Sequence, residues 1–363
     1  MRAAVLYGGR IEVRETADPV PGPGQVLGRV LSCAICASDL HFMDNPDGVA
    51  ADDSGLWDYR ADQDIVMGHE FVAEIVAYGP ETERTLAVGT RVTSLPVLLG
   101  AGPARIIGCA PEAPGGFGEL MLLTESLIRA VPENVPFDQA ALADAFAVGE
   151  YYVRRAALAP SDVPLIIGAG AIGLSAVAAL RRRDVETIIV SDYNDGRLET
   201  ARELGATHLV NPARQSPYEV WREVALGGRA RRVAFGGSDP STPNCVAFEF
   251  VGHPGVLDGI IQQCEQGTRI LSAGGPPEGD RISSMVAKRK GVSIQFGGGP
   301  APEDWYGTLD AICAGSLDVS PVIGMAVDLD GVPGALDLAR VGNGPARIMI
   351  RPTGDTALPA AAR

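Results

Sequence analysis

A glycine-rich stretch near the middle of the chain constrains its fold more than any other feature. It reads Gly168-Ala169-Gly170-Ala171-Ile172-Gly173 and joins a short apolar run, 165–167, to a helical pattern of small residues. In such a turn the first glycine permits a tight bend, the second lets the backbone approach a pyrophosphate, and the third lets helix and strand pack closely. The phosphates then lie at the positive end of the helix. The stretch predicts a dinucleotide-binding turn, with an ordinary strand-turn-helix as the alternative.

A carboxylate follows this turn at the separation that such a site needs. A second apolar run, 187–190, ends beside Asp192, which stands about as far beyond Gly173 as the carboxylate that meets an adenosine ribose. Asp192 favours NAD over NADP, because a ribose 2′-phosphate would meet a negative charge. The nearest cation after it is Arg197, which we expect either near the adenine or on a helix surface.

The order of apolar runs predicts an α/β protein with two domains. Residues 151–296 alternate strand-like runs with helical segments, which is typical of a doubly wound parallel sheet. Residues 1–150 carry short apolar runs broken by Gly and Pro, which favours a compact β-rich domain. Residues 297–363 are expected to return to that first domain, with a frayed tail from Pro352. The six runs of the parallel sheet are 165–167, 187–190, 208–210, 246–250, 269–272 and 292–296.

Two turns after predicted strands are placed where the nicotinamide half of a dinucleotide should lie. The first contains Val251, and the second contains Ser272 and Gly274. Ligands of doubly wound sheets bind beyond the carboxyl ends of the strands, which is where both turns fall. Ordinary strand-end turns are the alternative for both.

Charge and cysteine usage narrow the classes of partner. The formal net charge of −15 and the pI near 4.7 argue against a nucleic acid or an anionic membrane surface, because both would repel the chain. A small-molecule partner is therefore expected.

The first residues enter a strand-like pattern without a secretory signal, which predicts a cytoplasmic location. The six scattered cysteines indicate reduced thiols and not a disulfide scaffold.

Three side chains before residue 71 could hold a metal ion. Cys36 supplies a thiolate, His69 an imidazole and Glu70 a carboxylate, and such mixed ligands suit zinc. On residue types alone a buried cysteine and a surface histidine remain open as alternatives.

Four motifs in this order give the chain a family resemblance. Cys36-x-Ser38-Asp39-x-His41, Gly68-His69-Glu70, Gly116-Phe117-Gly118-Glu119 and the glycine-rich turn together resemble the zinc-dependent alcohol dehydrogenases of the medium-chain dehydrogenase/reductase superfamily. The resemblance implies a GroES-like catalytic domain, 1–150 and 297–363, split by a Rossmann domain, 151–296, with zinc in the cleft. It also implies a homodimer or homotetramer.

The resemblance assigns roles to individual residues. Cys36 and His69 would be zinc ligands, and Glu70 an adjacent carboxylate that coordinates in some members. Asp144 occupies the place of the third ligand, although a carboxylate in the first turn of a helix is also stabilising in its own right. Asp39 resembles the carboxylate that accepts a hydrogen bond from the ligand histidine. Ser38 and His41 match the proton-relay positions.

The implied reaction moves a hydride between an alcohol and NAD, with a secondary alcohol or a polyol as the expected substrate. A zinc-free reductase of alkenes or quinones from the same superfamily, and a non-catalytic nucleotide-binding protein, are the alternatives.

Two features depart from the family pattern. Many relatives hold a structural zinc with four cysteines, but residues 95–115 contain only Cys109, so we expect this second zinc to be absent. The segment between Cys36 and His69 is longer than expected and acidic, and it carries Trp57 and Tyr59. We expect either a substrate flap anchored by these aromatic residues or a solvated surface loop.

Overall fold

The computed structural model describes residues 1–45, 54–228, 245–276, 279–342 and 344–354, and these form two compact units. Unit 1 comprises Met1–Asp144 and Leu309–Arg363, and unit 2 comprises Ala145–Thr308. Both divisions fall inside helices, and not at the 150/151 and 296/297 boundaries expected from the sequence. The part of the expected frayed tail beyond residue 354 lies outside the described residues. Among the described helices, none is both long and apolar enough to cross a bilayer.

The strands, in chain order, are β1 (Arg2–Tyr7), β2 (Arg10–Glu15), β3 (Gln25–Ala34), β4 (Ile65–Val66), β5 (Glu70–Tyr78), β6 (Arg91–Ser94), β7 (Val97–Leu98), β8 (Arg105–Ile106), β9 (Leu120–Thr124), β10 (Ile128–Ala130), β11 (Val163–Ile167), β12 (Ile189–Ser191), β13 (His208–Val210), β14 (Cys245–Glu249), β15 (Arg269–Ser272), β16 (Ser293–Phe296), β17 (Ile323–Val327) and β18 (Arg347–Ile350). The helices are α1 (Ala37–Asp44), α2 (Phe137–Ala141), α3 (Ala143–Ala156), α4 (Ala171–Arg181), α5 (Asp195–Glu203), α6 (Pro217–Leu226), α7 (Val256–Gln263), α8 (Ser284–Lys290), α9 (Pro302–Cys313) and α10 (Val332–Val341).

Unit 1 is β-rich, as its Gly- and Pro-punctuated sequence predicts. Its largest sheet has the order β10-β6-β5-β3-β18-β17, and β9 also pairs with β3. The ten-residue β3 pairs antiparallel with β5, β9 and β18, so it connects the early strands to the returning C-terminal ones. Because Ala34 pairs with both Glu70 and Met349, the end of β3 draws three distant parts of the chain together.

Unit 2 contains the expected six-stranded parallel sheet, in the order β13-β12-β11-β14-β15-β16. All of its pairs are parallel. The central strands β11 and β14 are buried almost throughout, which fits their nearly continuous apolar sequence. Since β11 is flanked by β12 on one side and β14 on the other, the strand order reverses there. Ligands of doubly wound sheets bind at that point, at the carboxyl ends of the strands.

Candidate functional site

The end of β3 and the start of β5 bring Cys36 and His69 together. Cys36 lies between β3 and α1, and its N–H donates to Asp39 Oδ2 at 2.8 Å, which ties the start of the helix to the end of the strand. His69 stands immediately before β5, after Gly68, whose φ is +97°. A Cβ at Gly68 would lie 2.5 Å from the Phe117 ring, so only glycine fits this bend.

Three potential metal-binding atoms converge here. Cys36 Sγ, a ring nitrogen of His69 and a carboxylate oxygen of Glu70 all lie within 4.8 Å of one another. Ser38 Oγ is 3.2 Å from His69 Nε2. His69 Nδ1 lies 3.3 Å from Asp39 Oδ1, close enough for an ion pair, but it makes no hydrogen bond to that oxygen. Asp39 therefore faces one ring nitrogen, whereas the other points towards Ser38.

The electrostatics of this group favour a cation. Burial is the largest influence on His69 and lowers its pKa, but the charges of Asp39 and Cys36 outweigh it and raise the pKa well above its ordinary value. His69 is only 8 % exposed, so these anionic neighbours are poorly screened by water. A thiolate, an imidazole and a carboxylate are donor types that fit a divalent zinc ion.

Sequence reasoning missed Arg347, which heads β18 and reaches the same group. Its Nη2 donates to Glu70 Oε1 at 2.7 Å and its Nε to Oε2 at 3.0 Å, while Nη2 also lies 3.7 Å from Cys36 Sγ. The side chains of Arg347 and Glu70 are 5 % and 1 % exposed, so the pair is buried. The sequence signal was a single charged residue before an apolar strand, which is too common to indicate a role.

The other predicted residues of unit 1 are placed as follows. His41 is exposed on α1, three residues after Ser38 and thus on the same helix face. Asp144 lies in the first turn of α3, outside the three-residue group found among the described residues, and its ligand role stays a prediction.

The glycine-rich turn has the geometry that a dinucleotide needs. Gly168 has φ +99°, and a Cβ at Gly173 would lie 1.9 Å from Gly168 O, so both positions require glycine. A Cβ at Gly170 would meet no atom of the chain within 4 Å, so the space in front of it is open to a ligand. Gly170 caps α4, and Ala171 and Ile172 form its first turn, whose free N–H groups suit phosphate.

Asp192 is hydrogen-bonded to this turn. Its Oδ2 accepts the N–H of Ala169 and its Oδ1 the N–H of Asn194, both at 2.7 Å. A cavity of about 670 Å³ opens beside it, lined by Gly168, Asp192 and Tyr193 among others. Arg197 does not line this cavity. Its N–H donates to Asn194 Oδ1 at 3.1 Å in the first turn of α5.

A second residue missed from the sequence, Glu249, joins the two turns predicted for the nicotinamide half. Its Oε1 accepts the N–H groups of Val251 and Gly252, each at 2.8 Å, and its Oε2 accepts the Ser272 hydroxyl at 2.7 Å. A Cβ at Gly274 would lie 2.4 Å from Oε2. The sequence signal was a charged residue inside an otherwise apolar predicted strand, which indicates that Glu249 needs a polar partner but does not identify that partner.

The aromatic residues of the long segment before His69 pack on unit 1, and the choice between a substrate flap and a solvated surface loop stays a prediction. The rings of Trp57 and Tyr59 lie with their centroids 6.0 and 5.4 Å from that of Phe42 in α1, so these two partly buried residues pack against the core of unit 1. Asp58 pairs with Arg105 in the region where relatives would carry a structural zinc. Residues 46–53, with three of the acidic side chains, lie outside the described residues.

Arg105 makes several contacts that connect residues 95–115, the region where relatives would carry the structural zinc, to the segment before His69. Its Nε donates to Glu112 Oε1 at 2.7 Å, and its Nη1 donates to Gly55 O at 2.5 Å. The Ile106 N–H also donates to Leu56 O at 2.9 Å. Ion pairs and backbone hydrogen bonds thus connect residues 105–106 to residues 55–58.

Comparison with known proteins agrees with this geometry. The family described as "Alcohol dehydrogenase GroES-like domain" matches residues 22–133, and the family described as "Zinc-binding dehydrogenase" matches residues 171–314. L-threonine 3-dehydrogenase of Aeromonas hydrophila is 30% identical over 348 residues, which cover 92% of this chain and 93% of that protein. Sorbitol dehydrogenase of Bacillus subtilis is 29% identical over 297 residues, which cover 77% of this chain and 76% of that protein.

Solved structures show the same likeness. The crystal structure of 2R,3R-butanediol dehydrogenase from Bacillus subtilis superimposes with a TM-score of 0.76 and 26% identity, covering 97% of this chain and 99% of that chain. A GroES-like unit with a Rossmann sheet and zinc-type donors defines a zinc-binding dehydrogenase. The chain belongs to the zinc-dependent alcohol dehydrogenase family of the medium-chain dehydrogenase/reductase superfamily, whose members transfer a hydride between an alcohol and a nicotinamide cofactor.

Proposed function

We propose that this enzyme oxidises a secondary alcohol or a polyol with NAD, using a single zinc ion. The observation that carries the proposal is the convergence of Cys36, His69 and Glu70 within 4.8 Å. Sorbitol, threonine and butanediol dehydrogenases among the similar proteins support this substrate class. Zinc would supply Lewis-acid polarisation of the substrate oxygen.

The chain's own residues divide the remaining work. Cys36 and His69 would hold the metal, with Glu70 or Asp144 supplying a carboxylate. Ser38, beside His69 Nε2, would take up the proton of the alcohol while giving up its own hydroxyl proton, and the exposed His41 would release the relayed proton to water. Asp39 orients His69 through its contact with Nδ1.

The cofactor residues form the second half of the proposal. The turn from Gly168 to Gly173 would bind the pyrophosphate, and Asp192 the adenosine ribose. Glu249 would hold the turns of Val251 and Ser272 in shape for the nicotinamide. The open space before Gly170 supports this, since the chain itself does not need glycine there.

A panel of primary alcohols, secondary alcohols and polyols, each assayed with NAD and with NADP, tests the function directly. We expect turnover to be highest with a secondary alcohol or polyol and NAD. Asp144→Asn and Glu70→Gln, compared for bound zinc, would show which carboxylate serves as ligand. Turnover confined to activated alkenes or quinones, and independent of zinc, would contradict the proposal.

We also propose that the enzyme is a homodimer or homotetramer. The outer strand β16 of unit 2 presents mostly exposed side chains, and Phe296 is 60 % exposed. An outer strand with free backbone groups is a template for pairing with a second chain.

The free state of all six cysteines agrees with the expected cytoplasmic location.

Sedimentation equilibrium at micromolar concentration should give two or four times the mass of the 37.8 kDa chain, with Phe296→Lys shifting the protein towards monomer. A wild-type protein that sediments only as monomer would exclude the oligomer.

A further inference from the structure

One cation lines the cavity beside Asp192. Of the described residues around this space of about 670 Å³, Arg214 is the sole lysine or arginine, and Asp192 and Tyr193 line the same space. Arg214 lies in the segment after β13, the neighbour in the sheet of β12, which ends one residue before Asp192. A guanidinium matches the geometry of a phosphate group through paired hydrogen bonds.

Asp195 engages this cation. Arg214 Nη2 pairs with Asp195 Oδ1, and the same oxygen accepts the Asn211 side-chain amide at 3.0 Å. Asn211 also donates to Tyr193 O at 2.9 Å, so the segment carrying Arg214 is tied to the residues after Asp192. The hydrogen bond from Asn211 and the charge of Arg214 lower the pKa of Asp195, which is therefore negative at neutral pH.

Arg214 can exchange Asp195 for another anionic partner. The two side chains are 64 % and 66 % exposed, so water screens their attraction and the ion pair is weak. A phosphate at the cavity would compete with Asp195 for the guanidinium. Asp192 opposes such a phosphate separately, because its carboxylate is held at the turn by the N–H groups of Ala169 and Asn194.

We propose that Arg214 is a specificity-determining residue for the 2′ position of the adenosine ribose. Asp195 pairs with Arg214 and so keeps the guanidinium from a 2′-phosphate. Asp192 and Asp195 together then favour NAD over NADP. This rests on the proposed function, in which the cavity receives the adenosine end of the cofactor. Neutralising Asp192 removes a repulsion but leaves Arg214 paired, whereas neutralising Asp195 releases Arg214 but leaves the repulsion. The two changes act through different charges, so we expect their effects on the affinity for a 2′-phosphate to add.

Titration calorimetry of the full-length protein with ADP and with adenosine 2′,5′-bisphosphate tests this without any turnover. The variants are Asp192→Asn, Asp195→Asn and their combination, in which each asparagine keeps the shape of the aspartate. We expect Asp192→Asn and Asp195→Asn each to strengthen binding of the bisphosphate, and the combined variant to bind it at least about tenfold more tightly than the wild type. Asp195→Asn should change ADP binding by less than about threefold, whereas the variants that carry Asp192→Asn should bind ADP more weakly, because Asp192 is the proposed partner of the ribose. The gain should shrink as salt is raised, because the released charge is exposed.

The control is a second exposed ion pair on the same helix, α5. Glu199 and Arg202 lie 2.8 Å apart with side chains 53 % and 61 % exposed, and neither lines the cavity. Glu199→Gln should leave both affinities unchanged, and Arg214→Gln added to Asp195→Asn should abolish the gain that Asp195→Asn produces. Equal gains from Asp195→Asn and Glu199→Gln, or a gain from Asp195→Asn that survives Arg214→Gln, would overturn the role of Arg214. Failure of ADP itself to bind the wild type would instead refute the cofactor site, and the inference with it.

Discussion

Replacing Cys36 or His69 by alanine should remove both the metal and the activity. In the proposed site zinc would bind a thiolate and a neutral imidazole, so loss of either donor would leave the site incomplete. We expect bound zinc to fall to near zero by elemental analysis and kcat/KM for alcohol oxidation to fall by at least about 10³-fold, since Lewis-acid assistance contributes several kcal/mol. NADH binding, followed by fluorescence, should change little, because the dinucleotide turn lies in the other unit.

A matched control separates the metal site from thiol chemistry in general. Cys313 is a free, half-buried cysteine at the end of α9 and does not belong to the donor group. Cys313→Ala should keep full zinc content and activity. Wild-type turnover by a metal-free Cys36→Ala or His69→Ala protein would refute the assignment of this group.

Arg347→Met should cause the largest loss of stability among single substitutions at the site. It leaves the Glu70 carboxylate, only 1 % exposed, without its two charge-assisted hydrogen bonds. Breaking a buried ion pair by removing one partner costs about 3–5 kcal/mol. For a unit of this size, this lowers the midpoint of thermal unfolding by roughly 10 °C, which calorimetry of the zinc-free protein would measure.

The chain offers a matched arginine for comparison. Arg340 also makes two hydrogen bonds to one carboxylate, that of Asp44, but its side chain is 41 % exposed and that of Asp44 is 53 % exposed. Arg340→Met should therefore cost no more than about 1 kcal/mol. Adding Glu70→Gln to Arg347→Met should restore part of the stability, because the buried charge is then gone. Equal losses from the two arginine variants would contradict this account of the Arg347–Glu70 pair.

The Rossmann sheet was predictable because its signals are local. Each predicted strand of unit 2 overlaps an observed one, since a buried parallel strand is a short apolar run bounded by turns and needs no knowledge of its neighbours. The glycines at 168 and 173 were equally readable, because only glycine fits a positive φ and a 1.9 Å approach. The roles of Trp57 and Tyr59 were not readable, since an aromatic residue in an acidic segment can pack inwards or face solvent, and Phe42 decides which.

The sequence by itself determined the two-domain plan, the dinucleotide turn with Asp192, and the donor types at Cys36, His69 and Glu70, because spacing and residue chemistry are carried by the chain. Only the tertiary structure brought Arg347 onto Glu70 and Glu249 onto the turns of Val251 and Ser272. These contacts depend on strand pairing between distant segments, such as that of Ala34 with both Glu70 and Met349. A lone charged residue in an apolar strand acquires its role from the partner that the fold places beside it.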